Sequence, residues 1–385
     1  MRPSARALTV EPFHAMAFAH EAAVLQAAGH DVVKLSLGEP DFGAPAGVRA
    51  AMRDVMDGRP LAYTRALGDL GLRQGIAGFY ARQHGVEVDP EQILVTSGAS
   101  SALLVALAAT VDPGDQVLMA DPSYPCNRQL VDTFGAEVLL VPTSPETRFQ
   151  LSLDSVAASW TEGTTAVMAA SPSNPTGTSV PFDELVAICD YARARQAWRI
   201  VDEIYLNLSD PPARTILRTD PEAIVINSFS KFFGMTGWRL GWCVLPESLV
   251  SVAERLAMNY FLCASTPAQL AAVECFSEDS LAECESRRLE LLARRELVLE
   301  GLDRIGLPVP VPPDGAFYVY FDVSGTGLDA WTFCERVLQE AFVGLTPGRD
   351  FGVATADTHV RLSYAASRAD LAEGLDRLGR FVAQL

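Results

Sequence analysis

Lys231 lies in the run Ser-Phe-Ser-Lys-Phe-Phe-Gly-Met-Thr-Gly-Trp-Arg-Leu-Gly (228–241), just past a stretch that reads as a strand. A lone lysine ordinarily signals only a solvated surface. An ammonium set among glycine, serine and aromatic residues at a strand's end loses hydration. Its pKa then falls, and the free amine becomes a nucleophile able to form a Schiff base with a carbonyl. Ser228 and Arg239 flank it, a hydroxyl and a guanidinium suited to a phosphate. Ser230 is a further hydroxyl that could contribute there or only cap the chain locally. Gly98, Ala99 and Ser100 stand where QILVTSG (92–98) meets a helical pattern. Free N–H groups and the positive end of a helix make such a junction a ready phosphate site. Asp202 closes an apolar run, and a carboxylate buried there requires a partner, whether a bound group, a helix end or an ion pair.

Holding these residues together takes a sheet. Short apolar runs recur at 92–98, 115–122, 137–142, 165–172, 198–205, 223–230 and 239–246, with helical patterns such as Ala99 to Thr110 and Phe182 to Arg195 between most of them. Runs apolar on both faces and separated by helices predict a mostly parallel sheet covered on both sides, an α/β layered domain. In such sheets function collects in the loops beyond the carboxyl ends of the strands. A long charged helical pattern from about Ser280 to Gly306 then leads away. After it, GAFYVYFDV (315–323), a helix from about Leu328 and HVRLSY (359–364) predict a smaller α+β unit. The expected division is a large domain over 46–278 and a small one made of 1–45 and 279–385, because the first segment is too short to fold alone.

Composition excludes several classes of function. The 385 residues carry a net charge of −18, with 49% hydrophobic and 20% charged residues. That balance suits a soluble protein with a large core. It lacks the basic footprint that nucleic acid or an anionic membrane requires. Cysteines at 126, 189, 243, 263, 275, 284 and 334 form no C-x-x-C and read as small hydrophobes in a reducing compartment. The scattered histidines have no metal-ligand spacing, so no metal is expected. No signal peptide and no long uncharged apolar run is evident, and the expected location is the cytoplasm.

Seven motifs occur in one order: GEPDF (38–42), AYT (62–64), TSGAS (96–100), SNPTG (173–177), DEIY (202–205), the lysine run (228–241) and RLSY (361–364). In that order and spacing the chain resembles the class I/II aminotransferases of pyridoxal-phosphate (PLP) fold type I, the aspartate aminotransferase-like family. The resemblance covers nearly the whole chain. It implies a seven-stranded, mostly parallel sheet in the large domain and PLP as cofactor, bound as a Schiff base to Lys231. Asp202 would then pair with the protonated pyridine nitrogen, while Tyr205 and Asn174 hydrogen-bond the phenolic oxygen. Asn174 also suits a turn, and both roles can hold together. Tyr124 would stack on the ring. Gly98, Ala99, Ser100, Ser228, Ser230 and Arg239 would form the phosphate cup. Tyr63 would reach the phosphate of a second subunit, making a homodimer with shared sites. Arg361, with Gly38 and Asn174 beside it, would receive the substrate α-carboxylate.

The implied reaction is ping-pong transfer of an amino group between an L-amino acid and a 2-oxo acid, with Lys231 as general base. A β-lyase or a cyclising synthase on the same scaffold is the alternative. A non-catalytic PLP-binding regulator is a more distant one, since GEPDF begins too early to leave room for a DNA-binding domain. The start EPFHAMAF (11–18) resembles branches acting on alanine, aspartate or aromatic amino acids. Arg65 is either a partner for an acidic substrate or a solvated loop residue. Phe13 and Phe18 either line an apolar pocket or simply pack.

Overall fold

The structure is a computed structural model describing the backbone of residues 1–385 and the side chains of all but Ala5 and Thr9. A short strand, β1 (Val33–Lys34), comes first. Seven strands follow: β2 (Ile93–Thr96), β3 (Gln116–Asp121), β4 (Glu137–Pro142), β5 (Thr164–Ala170), β6 (Trp198–Asp202), β7 (Ile224–Ser228) and β8 (Gly241–Val244). They form one sheet in the order β2-β8-β7-β6-β5-β3-β4. β8 runs antiparallel to β2 and β7, and every other pairing is parallel. The mostly parallel sheet expected from the apolar runs is therefore present, with the seven strands that the resemblance implies.

Period-two alternation accounts for its two cores. Val95, Val167, Val201 and Val225 pack into the core on one face. Leu94, Ala166, Ile200, Ile224 and Ile226 pack into the core on the other. Each such fully buried valine, leucine or isoleucine contributes about 2 kcal/mol relative to exposure. A sheet covered on both faces places its functional groups at the strand ends. The helix expected from Ala99 to Thr110 spans those residues. The helix starting at Phe182 stops at Arg193, before the expected Arg195, and Gln196 turns the chain in a left-handed conformation (φ 60°).

A further core joins chain segments far apart in sequence. Phe18, Ala22, Val33 and Leu35 pack with Phe321, Phe333, Leu362 and Phe381. Here β9 (Tyr318–Asp322), β10 (Val343–Gly344), β11 (Thr346–Pro347) and β12 (His359–Ser363) complete the strand set. β12 lies antiparallel between β9 and β11, and β1 pairs with β10. The helix Glu278–Arg304 bridges the cores, with Cys284 buried in one and Leu291, Val298 and Leu302 in the other. The first helix, Ala5–Thr9, contacts the helix Pro125–Thr133 beside the large sheet.

Candidate active site

β2, β3, β5, β6 and β7 end at one edge of the sheet, and the chain beyond each end opens onto a cavity of about 300 Å³. Lys231, Asp202, Tyr205, Asn174, Tyr124 and Arg361 all line it. So do Gly38, Ala99, Ser100, Ser228, Ser230 and Arg239. Local chemistry and tertiary approach thus meet in one place.

Lys231 follows β7, and its Nζ donates to the Gly38 carbonyl at 2.6 Å, a contact spanning the two ends of the cavity wall. Burial lowers its pKa to about 8. The Glu39 and Asp202 carboxylates oppose that fall, while Arg361 and Arg239 assist it. The amine is poised to be neutral close to physiological pH.

Asp202 ends β6 and is buried, with one hydrogen bond, from the Ile204 N–H at 3.1 Å. Burial raises its pKa to about 6, against the pull of that N–H and of Lys231. A carboxylate so placed lacks a close cation, and a protonated ring nitrogen is the partner that its environment accommodates. Tyr205, in the loop after β6, shares a hydroxyl contact of 2.9 Å with Tyr318. Burial, then the neighbouring Tyr318, holds Tyr205 well above the ordinary phenol value, so it remains a neutral donor.

The phosphate cup is built at the start of the helix Ala99–Thr110. Its N-cap, Gly98, has no side chain with which to satisfy the first N–H groups, which leaves them for a ligand. Gly98 does not itself line the cavity. It sits beneath Arg239 with φ 87°, and a Cβ there would lie 2.6 Å from Arg239 Nη2. Arg239 adopts a left-handed backbone (φ 52°), and its Nη1 donates to the Thr236 carbonyl at 3.0 Å. Ser228 Oγ donates to Ser230 Oγ at 2.9 Å. With Thr236 also in the wall, these donors suit a phosphate monoester.

Arg361, on β12, is buried yet hydrogen-bonds only uncharged oxygens: Asn174 Oδ1 at 2.8 Å, the Ser36 carbonyl at 2.7 Å and Thr346 Oγ1 at 3.2 Å. Its Nε has no partner. A buried guanidinium in that state suits an incoming carboxylate. Because Asn174 receives from Arg361 through Oδ1, its amide N–H groups remain available as donors.

Several residues fall outside this cluster. Tyr63 is on the surface, away from the cavity wall. Phe13 lines the cavity and meets Tyr124 edge-on at 6.3 Å. Phe18 instead packs against Trp331 at 5.1 Å in the core, so of the two readings open for it the geometry is that of ordinary packing. Arg65 is neither a free cation nor a simple solvated one, since Glu91 and Glu254 hold it at 2.7 and 2.6 Å. Sequence reasoning passed over Tyr318, Thr236, Glu39 and Ser36, all in the wall. Thr236 was visible within the lysine run, whereas Ser36 and Tyr318 carried no local signal of chemistry.

A mostly parallel seven-stranded sheet with a buried lysine, a buried carboxylate and a phosphate-sized cup at its strand ends defines the aspartate aminotransferase type of architecture. The model of the family "Aminotransferase class I and II" matches residues 30–378. The valine–pyruvate aminotransferase of Mycobacterium tuberculosis is 40% identical over 376 residues, 97% of each chain. A crystal structure of an aminotransferase from Mycobacterium tuberculosis is similar at a TM-score of 0.96 and 39% identity, covering 100% of both chains. The aspartate aminotransferase of Thermus thermophilus with maleate is similar at 0.94 and 35%, covering 99% of this chain and 100% of that one. The chain belongs to the class I and II aminotransferases, and its activity is amino-group transfer; this relation does not favour a lyase or a cyclising synthase.

Proposed function

We propose that this aminotransferase holds pyridoxal 5'-phosphate on Lys231 and moves amino groups between apolar L-amino acids and a 2-oxo acid such as pyruvate. The observation that carries the reading is the convergence of the Lys231 amine, the Asp202 carboxylate and the phosphate cup on one cavity. When bound, the cofactor supplies an electrophilic aldehyde carbon and a protonated ring that draws electrons from the amino acid's α-carbon.

The chain's own residues do the rest. Ala99 and Ser100 N–H groups, Ser228, Ser230 and Arg239 grip the phosphate, and Tyr124 stacks on the ring. Asp202 keeps the ring nitrogen protonated, while Asn174 and Tyr205 donate to the phenolic oxygen. Arg361 receives the α-carboxylate, with Gly38 permitting close approach. Lys231 Nζ, once displaced by the incoming amine, takes the α-proton and gives it up again, a role its pKa of about 8 suits. Two such half-reactions in sequence give ping-pong kinetics. The reading extends to a cytoplasmic homodimer in which Tyr63 reaches the phosphate of the second subunit. It also keeps the division into a large domain over 46–278 and a small one from 1–45 and 279–385. The described cysteines are all free thiols, as suits a reducing compartment, and no helix is long and apolar enough to cross a membrane.

Side-chain preference follows from the outer wall, where Phe13, Met16, Ala19 and Leu37 are apolar and Glu39 is acidic. Arg65 is engaged by Glu91 and Glu254. A second substrate carboxylate would meet no free cation among these residues. The valine–pyruvate relative agrees with this preference. With pyruvate as acceptor, kcat/KM for valine should exceed that for aspartate by about 100-fold, the cost of desolvating an unpaired carboxylate. Equal values overturn the apolar preference. No alanine formed from pyruvate with any donor overturns the acceptor.

The cup makes a separate prediction. Gly98→Ala must hold a Cβ at positive φ and against Arg239 Nη2. Strain of about 1–2 kcal/mol should weaken PLP binding by about tenfold while leaving the fold intact. Titration of cofactor-free protein followed by absorbance measures it, and wild-type affinity would mean that Gly98 does not shape the cup.

A further inference from the structure

Tyr318 touches both ends of the site. Its hydroxyl lies 2.9 Å from that of Tyr205. The same oxygen rests against Gly38, at 3.2 Å from where a Cβ would stand. Its ring carries the Arg361 guanidinium at 4.6 Å. Strand register explains this placement. Arg361 on β12 faces Tyr320 on β9, so Tyr318 is the diagonal neighbour on the same face. Val319 and Phe321, between and beyond them, point to the opposite face, and the Tyr318 ring is buried with them in the same core.

A hydroxyl has one proton to give. If Tyr205 spent its proton on Tyr318, it could only accept from the cofactor's phenolic oxygen and would not stabilise negative charge there. We propose that Tyr318 is a positioning residue whose hydroxyl donates to Tyr205, aiming the Tyr205 proton at that oxygen, and that Arg361 on its ring ties this donation to capture of the substrate carboxylate. The inference rests on the PLP reading above.

Donors in a chain polarise one another, so Tyr205 binds a phenolate more strongly when it accepts from Tyr318. A cation on the ring face makes Tyr318 the better donor: burial raises its pKa, and Arg361, and after it the Tyr205 contact, pull it down. In the cofactor-free protein either hydroxyl can donate, and a bound phenolate draws the Tyr205 proton to itself, leaving Tyr205 to accept from Tyr318. A substrate carboxylate on Arg361 weakens that pull. The Lys231 nitrogen, whose proton the phenolate holds less firmly when Tyr205 donates well, then becomes more basic as substrate arrives.

The test uses Tyr318→Phe holoenzyme, which keeps the ring beneath Arg361, and follows the pH dependence of the absorbance of the Lys231-bound cofactor. The midpoint should rise by about half a pH unit, the scale of one weakened hydrogen bond. The pH profile of kcat should move with it, while KM for the amino donor stays within about twofold because Arg361 is untouched. In a Tyr205→Phe background the second substitution should add nothing. An apolar carboxylic acid lacking an amino group should raise the wild-type midpoint and raise that of Tyr318→Phe by less. An unchanged or lowered midpoint in Tyr318→Phe overturns the donation, and equal carboxylate-induced shifts overturn the Arg361 link. A wild-type protein that takes up no chromophore overturns the PLP reading instead, so the two failures are distinguishable.

Discussion

Lys231→Ala protein should fold normally and lose turnover by about 10⁴-fold or more, because it lacks both the nucleophilic amine and the general base. Lysine occurs in this chain only at Lys34 and Lys231, which makes the chemical test unambiguous. Borohydride reduction of wild-type protein loaded with PLP should fix the label on the Lys231 peptide and leave the Lys34 peptide free. Lys34 lies on β1, outside the cavity wall. The pH dependence carries a sign. Burial lowers Lys231 from its ordinary value of 10.5 to about 8, so its reactive neutral form accumulates as pH rises through 8 and is nearly complete by pH 10. Imine formation should therefore be half-maximal near pH 8 and level off about one pH unit above it. Label on Lys34, or wild-type turnover in the alanine variant, would remove the basis of the proposed mechanism.

Asp202→Asn should move activity and stability in opposite directions. Turnover should fall by about 10³-fold, since no carboxylate remains to keep the ring nitrogen protonated at the moment charge develops. The cofactor-free variant should nevertheless be the more stable protein. Burial raises Asp202 from 3.8 to about 6, so the folded state binds its proton more tightly than the unfolded state. The cost of the charged form is absent below pH 3.8, grows between pH 4 and 6, and is complete above. At pH 7.5 removing that charge should stabilise the cofactor-free protein by about 3 kcal/mol, several degrees in Tm, and at pH 4 by almost nothing. Glu203, raised to about 7 by burial and, more weakly, by the neighbouring Asp202 charge, imposes a similar trend on both proteins, slightly relieved in the variant. Loading with PLP should abolish the variant's advantage, because the protonated ring nitrogen gives Asp202 its missing partner. A variant that loses stability at pH 7.5 without cofactor contradicts the picture of an unpaired buried carboxylate.

What the sequence by itself determined is whatever depends on neighbours along the chain. Runs apolar on both faces specify strands buried on both sides, so all seven strands of the large sheet were legible, and with them the strand ends that position Lys231, Asp202 and the turn at Gly98. Helix ends were less legible, since Phe182–Arg193 stops where a local left-handed turn at Gln196 interrupts it. Tertiary structure alone decided three matters. Phe13 and Phe18 look alike in EPFHAMAF, yet one lines the cavity and the other meets Trp331, because Phe13 stands just before the helix His14–Ala27 while Phe18 lies within it, facing the core. Arg65 reads either as a partner for an acidic substrate or as a solvated loop residue, and the ion pairs with Glu91 and Glu254 are visible in neither reading. Tyr318 carries no signal of chemistry in GAFYVYFDV, yet the pairing of Arg361 with Tyr320 sets its hydroxyl beside that of Tyr205. Charge pairing and strand register join residues distant in sequence, and residue spacing carries no record of those distances.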